Sequence, residues 1–233
     1  LINQLVGTAD VELNLEPGDA PDTLTVWRKG SNSFDIAVKG RPAHAGVAPQ
    51  LGRNAALELI HQIQLADGLP KVGDGVTANL TLMKAGSRYN IIPEDASATF
   101  NVRIREKAQG DEVDALLRKN ATTTIIPDTV VTVKREISYP PLPENPQTQA
   151  LAALAERLYG ELDRRIARGG NGGASESAMA YEGGVAALDG LGPVGGGFHS
   201  EDEFIELDSV TPRLYLLTRL IIETGKNPPA RRQ

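Results

Sequence analysis

Phe34-Asp35-Ile36-Ala37-Val38-Lys39-Gly40-Arg41-Pro42-Ala43-His44-Ala45-Gly46 opens the part of the chain whose pattern decides the fold. Phe34, Ile36 and Val38 alternate with Asp35, Ala37 and Lys39, the two-residue period of a half-buried strand. A turn-rich loop follows. Ala55–Ile63 then sets Ala56, Leu59, Ile60 and Ile63 on one helical face. Leu80 and Leu82 mark a second strand. Ala98, Phe100, Val102 and Ile104 mark a third, with Asn101, Arg103 and Arg105 on its other side. Glu112–Lys119 carries Val113, Leu116 and Leu117 at helical spacing, and Val131 and Val133 alternate in a last strand. The order β-α-β-β-α-β is the ferredoxin-like layout, an open sheet with two helices on one face.

Outward from this block the pattern changes. Residues 1–23 read as a short helix remnant and then a strand around Val11–Leu15, stopped by Glu16-Pro17-Gly18-Asp19. Tyr139-Pro140-Pro141-Leu142-Pro143 is a stiff connector and marks a domain boundary. Beyond it, Leu151, Leu154, Ala155 and Leu158 predict an amphipathic helix. Gly169–Gly173 predicts a glycine-rich loop, with Ser175 as N-cap of a short helix. Gly192–Gly197 leads into Phe198-His199-Ser200. Thr211-Pro212 predicts the start of a closing helix with Leu214, Leu217, Leu220 and Ile221, and Asn227–Gln233 a frayed tail. The expectation is an α/β chain in which residues 24–143 form a domain inserted between segments 1–23 and 144–233 of another.

Composition narrows the function. Hydrophobic residues make up 40% and charged residues 23% of 233, enough for a packed core. The net charge of −6 argues against a nucleic-acid partner. No apolar run approaches the ~20 residues of a membrane span. With no cysteine and three histidines, any metal must be held by imidazole and carboxylate. The Gly169–Gly173 cluster lacks the dinucleotide and P-loop spacings, and there is no GxSxG elbow.

Several residues could carry chemistry. His199 follows a glycine-rich loop and precedes Glu201-Asp202-Glu203, a setting for a metal ligand, for acid–base work, or for a plain loop histidine. Glu16 ends an apolar strand, where active sites of open α/β sheets collect, though strand-end glutamates also simply face water. His44, in its loop, could donate to a developing oxyanion or merely cap a turn. His61 reads as structural. Arg103 and Asn90 form a natural pair for gripping a carboxylate and a carbonyl, and equally suit a surface and a turn.

Taken together, these fragments resemble the M20 metallopeptidases, nearest to the glutamate carboxypeptidase type. Val38–Pro49 with Gly52-Arg53-Asn54-Ala55 resembles the start of that family's dimerisation, or lid, domain. Leu15-Glu16-Pro17-Gly18, Asn90-Ile91-Ile92-Pro93, Phe100-Asn101-Val102-Arg103, Gly172-Gly173-Ala174-Ser175 and Gly195–Ser200 resemble its further segments, in the family's order. The resemblance implies a zinc-exopeptidase-like catalytic domain with the ferredoxin-like domain inserted, two zinc ions, and a homodimer through the lid. It implies Glu16 and His199 as ligands of different zincs. His44 would be an oxyanion donor reaching the partner's site. Asn90, Arg103, Gly173 and Ser175 would contact a peptide or N-acyl amino acid, such as one ending in glutamate. The family's His-x-Asp motif, bridging Asp and Glu-Glu pair have no counterpart here, and Ser175-Glu176-Ser177 stands where many members have Asp after the Ser. The expectation is therefore half of a hydrolase, cut before Leu1, inactive alone, and unstable where its sheet lacks strands. A non-catalytic dimerisation module and a small-molecule binding module are the alternatives.

Overall fold

The computed structural model describes Val6 and residues 8–231; apart from Val6, the expected helix remnant lies outside the described residues, as do the last two residues of the tail. Among the described residues, ten strands and five α-helices follow in chain order: β1 (Val11–Leu13), β2 (Thr23–Arg28), β3 (Gly30–Lys39), α1 (Ala55–Leu65), β4 (Thr77–Ala85), β5 (Asp95–Ile104), α2 (Lys107–Ala121), β6 (Val130–Tyr139), α3 (Pro146–Tyr159), β7 (Ala167–Asn171), α4 (Ser177–Glu182), β8 (Ala186–Leu188), β9 (Gly195–Gly196), β10 (Phe204–Ile205) and α5 (Leu207–Lys226). They form two compact units. One gathers the residues up to Gly30 and those from Tyr139 on; the other is Ser31–Ser138.

The Ser31–Ser138 unit has the β-α-β-β-α-β order, with its four strands arranged β4-β5-β3-β6. Phe34, Ile36 and Val38 of β3 and Ala98, Phe100, Val102 and Ile104 of β5 bury one sheet face against Leu59 of α1 and Val113 and Leu117 of α2. The opposite face carries Asp35, Thr99, Asn101 and Arg103, and Thr99 donates to Asp35 at 2.7 Å. Three expectations need correction here. Leu80 and Leu82 do not share a face, because a bulge shifts the β4–β5 register between them. The buried side of α1 is turned from the apolar stripe: Ala55, Glu58, Leu59 and Gln62 are buried, and Ile60 faces solvent. The cause is polar. The Glu58 carboxylate accepts the backbone N–H groups of Ile125 and Ile126 at 2.8 and 2.9 Å and the Gln62 amide at 2.9 Å. Helix α2 starts before Glu112, because Glu106 and Gln109 close a capping box.

In the other unit β1 pairs with β8 and β2 with β7, both in parallel. Leu24, Val26, Leu188, Leu151, Ala155 and Leu158 pack with Leu216 and Leu220 of α5. Leu24–Arg28, expected in the inserted domain, pair with β7 in this unit. Gly169 and Gly170, expected in a loop, lie in β7 because they pair with Thr25 and Trp27 of β2, and position 170 has to be glycine because a Cβ there would sit 1.6 Å from the Trp27 indole. Ser175 does not cap α4; the N-cap is Glu176, without a side-chain bond. Helix α5 begins before Thr211, with the Ser209 hydroxyl donating to the Glu206 carbonyl at 2.6 Å, and Pro212 lies inside it. Its inward side carries Arg213, whose guanidinium reaches Asp22 at 2.7 Å and the Gly190 carbonyl at 2.5 Å. Leu214 and Ile221 consequently face outward, 62% and 57% exposed.

Candidate functional site

Within the Ser31–Ser138 unit, the loop after β3 is sewn to the loop before β5. Arg41 and Arg53 exchange backbone hydrogen bonds at 3.0 and 2.9 Å, Ile92 N–H donates to Ala43 at 2.9 Å, and Ala45 N–H donates to Asn90 at 2.9 Å. Gly40 is required at this crossing, because a Cβ there would lie 2.1 Å from the Arg53 carbonyl oxygen. Asn54 caps α1 by accepting from Ala56 and Leu57, which fixes the loop's exit.

His44 and Asn90 are thereby neighbours. The Nδ1 of His44 accepts the N–H groups of Gly46 and Val47, both at 3.2 Å. An acceptor Nδ1 places the proton of the neutral ring on Nε2, and this side chain is exposed. The loop therefore presents an oriented N–H donor beside the Asn90 segment.

Arg103 is not in this group. It lies near the other end of β5, paired with Thr77, where its Nε donates to Asn101 at 2.9 Å. At ~3.3 Å per residue, the strand from Asp95 to Arg103 spans about 25 Å. A single copy of this domain cannot close both ends on one small substrate.

In the other unit, Asn14–Gly18 runs beside Leu188–Gly195. Leu191 N–H donates to Asn14 at 3.1 Å, Gly192 N–H to Glu16 at 3.0 Å and Gly18 N–H to Pro193 at 3.1 Å. Gly192 has no room for a side chain, its Cβ falling 2.5 Å from the Leu15 carbonyl oxygen. Glu16 is exposed at the end of this track. His199 follows β9 in a turn closed by Ser200 N–H to Gly197 at 3.1 Å, and holds φ of 64°, a left-handed conformation that non-glycine residues rarely adopt. Such strain concentrates at functional turns. Among the described residues, no three His, Asp or Glu side chains converge as a metal centre needs. One imidazole and one carboxylate do not by themselves fit the zinc ions that the resemblance implies.

The glycine turn also differs from expectation. The Ser175 hydroxyl faces the interior, the residue being 1% exposed, and donates to Asp189. Gly173 donates to Asn171 Oδ1 at 2.7 Å and accepts from Arg28 at 3.4 Å. Sequence reasoning missed Arg28, Asp189 and Glu12. Glu12 is a lone charge within the apolar run Val11–Leu15, and that was an available signal; Arg28 ends β2 beside Lys29 and Asp189 follows β8, so neither stands out by its neighbours. Glu12 has a buried Oε2 without a hydrogen-bond partner. Burial first, then the Asp189 and Glu176 carboxylates, push its pKa up to about 8. The Tyr139 hydroxyl donates to Glu176 at 3.2 Å, and that carboxylate raises the tyrosine pKa.

The fold and these segments define a class that the comparisons make explicit. The family model for the M20-type peptidase dimerisation domain matches residues 26–129. Over those residues the chain carries a peptidase dimerisation domain of the M20 type. It is 29% identical over 97% of its length to carboxypeptidase G2 of Pseudomonas sp., covering 55% of that protein. Over 34% of its length it is 43% identical to a Haemophilus influenzae homolog of a p-aminobenzoyl-glutamate hydrolase component, covering 19% of that protein. The fold matches the crystal structure of aminopeptidase PepT from Bacillus cereus with a TM-score of 0.77 at 19% identity, over 94% of this chain and 58% of that one. The chain thus spans little more than half the length of carboxypeptidase G2 and of the PepT chain.

Proposed function

We propose that this chain supplies part of an M20-type carboxypeptidase or amidohydrolase acting on an amide next to a free carboxylate, such as an N-acyl glutamate. The observation that carries this reading is the His44 loop. Two backbone donors on Nδ1 leave Nε2–H as an exposed, oriented donor, suited to the oxyanion that forms when an amide carbonyl is attacked. Asn90, next to it, is suited to the same carbonyl. Arg103 has a guanidinium fork for the substrate carboxylate. Glu16 and His199 each offer a ligand to a zinc centre whose remaining ligands and general base come from outside the described residues.

The separation of Asn90 from Arg103 favours a homodimer, in which two copies of the lid meet one substrate from different ends. The edge strand β4 exposes Leu80, Leu82 and Met83, and α1 exposes Leu57 and Ile60. An unpaired edge with apolar side chains suits pairing with a second copy.

Calorimetric titration with N-acetyl-glutamate and p-aminobenzoyl-glutamate tests the reading. A carboxylate-dependent signal abolished by Arg103→Ala is expected. With zinc added, the chain alone is expected not to hydrolyse either compound. Absence of heat with every acidic ligand, or binding untouched by Arg103→Ala, would reject the proposed grip.

A further inference from the structure

Asp189 is fully buried, and five donors converge on its carboxylate. Oδ2 accepts from Arg28 Nε at 2.6 Å, from the Ser177 hydroxyl at 2.6 Å and from the Ser175 hydroxyl. Oδ1 accepts from Arg28 Nη2 at 2.9 Å and from Gly190 N–H at 2.5 Å. The third arm of the same guanidinium, Nη1, reaches the Gly173 carbonyl at 3.4 Å. From the other side, Asn171 Oδ1 takes the Gly173 N–H, and the Asn171 amide is held by Asp19 at 3.1 Å.

Both flanks of the exposed Gly172 are therefore anchored, and the anchors at Gly173 and Ser175 lead back to one buried carboxylate. Such a pair is a poor device for stability alone. Burying Arg and Asp incurs desolvation that a well-packed apolar pair avoids. What the fork provides is direction: two parallel bonds fix the guanidinium plane, and the plane fixes where Nη1 points. The serines add two short, directional links on the following residues.

The geometry points to Asp189 as a positioning residue. Through Arg28, Ser175 and Ser177 it sets the backbone of the Gly172–Ala174 turn as the face that meets substrate. This deepens the proposed function and rests on the glycine turn being a substrate contact. It also gives Ser175 a different part: its hydroxyl holds the turn from beneath, and the backbone above it is what a ligand would meet.

Amide hydrogen exchange on the full chain tests this at two protected sites, Gly173 N–H on Asn171 and Ala178 N–H on the Ser175 carbonyl. Asp189→Asn should speed both by at least about tenfold, while the amides of β2, β7 and α3 keep their protection. Arg28→Lys keeps the charge but lacks the fork, and should give a smaller rise confined to the same sites. Glu12→Gln, which leaves all five donors to Asp189 in place, should change neither. In parallel, Asp189→Asn should weaken N-acetyl-glutamate binding by about tenfold without altering the signal's dependence on Arg103. Exchange rising evenly through the unit would mean a merely structural pair and overturn the inference, as would an unchanged turn. If Asp189→Asn does not fold, Ser177→Ala decides: it removes one link, and unaltered exchange at Gly173 and Ala178 overturns the inference. If exchange responds as expected but wild type gives no heat with N-acetyl-glutamate, the substrate reading falls while the turn's dependence on Asp189 stands.

Discussion

Glu12→Gln should remove most of the pH dependence of stability in the unit that holds β1. Glu12 carries a buried oxygen with no partner, and its pKa lies at about 8 against an ordinary value of 4.5. Asp189 and Glu176 face it with like charge, Arg28 opposes them, and Asn14 offers a partial donor. The guanidinium of Arg28 is already forked onto Asp189. A raised carboxyl pKa means that the folded state holds a proton which the unfolded state releases. The contribution is fully present below pH ~4.5, falls as pH rises, and is gone by pH ~8. At ~1.4 kcal/mol per pH unit, the ceiling is ~5 kcal/mol, and relaxation around a partly accessible side chain should reduce it to ~2–3 kcal/mol. The assay is urea unfolding from about pH 5 to pH 8.5, comparing wild type with Glu12→Gln. Trp27 is the chain's single tryptophan and lies in β2 of the same unit, so its fluorescence reports the relevant transition. Every other titrating group is common to both proteins and cancels in the difference. Wild type should lose stability relative to the variant as pH rises. Parallel curves, or a gain by wild type, would refute the reasoning.

Three further outcomes are expected. Gly170→Ala should destabilise the same unit by at least ~2 kcal/mol, read by the same fluorescence, because its Cβ would overlap the Trp27 ring. Glu58→Ala should cost about 2–3 kcal/mol and expose the Ile125 and Ile126 amides to rapid exchange, since both donors and the Gln62 amide lose their acceptor. Leu80→Glu should shift the mass seen by light scattering from dimer to monomer, and a mass unchanged by it would remove β4 from the interface.

Elements with local periodicity were legible at once. Phe34, Ile36 and Val38, and Phe100, Val102 and Ile104, point inward as their alternation requires, because a strand shows its buried face every second residue. The motif residues were legible too, and the comparisons agree on the family they resemble. Contacts formed at a distance were not. Helix α1 turned toward the loop at Ile125 because a buried Glu58 finds two backbone donors there. Helix α5 turned toward Asp22 because Arg213 does. Asn90 and Arg103, adjacent in motif logic, separated to opposite ends of β5 because a fully extended strand lies between them.

The chain's own order of residues thus determined the β-α-β-β-α-β plan and the family resemblance, and nominated His44, Asn90, Arg103, Glu16 and His199 as candidates. These depend on spacing along the chain, which sequence carries directly. The free nitrogen of His44 follows from donors two and three residues further on, whereas only the tertiary structure decided that the Ser175 hydroxyl is buried on Asp189 and that Glu12 holds a proton near neutral pH. Those properties arise when burial removes water and distant segments supply, or fail to supply, the hydrogen-bond partners that water gave.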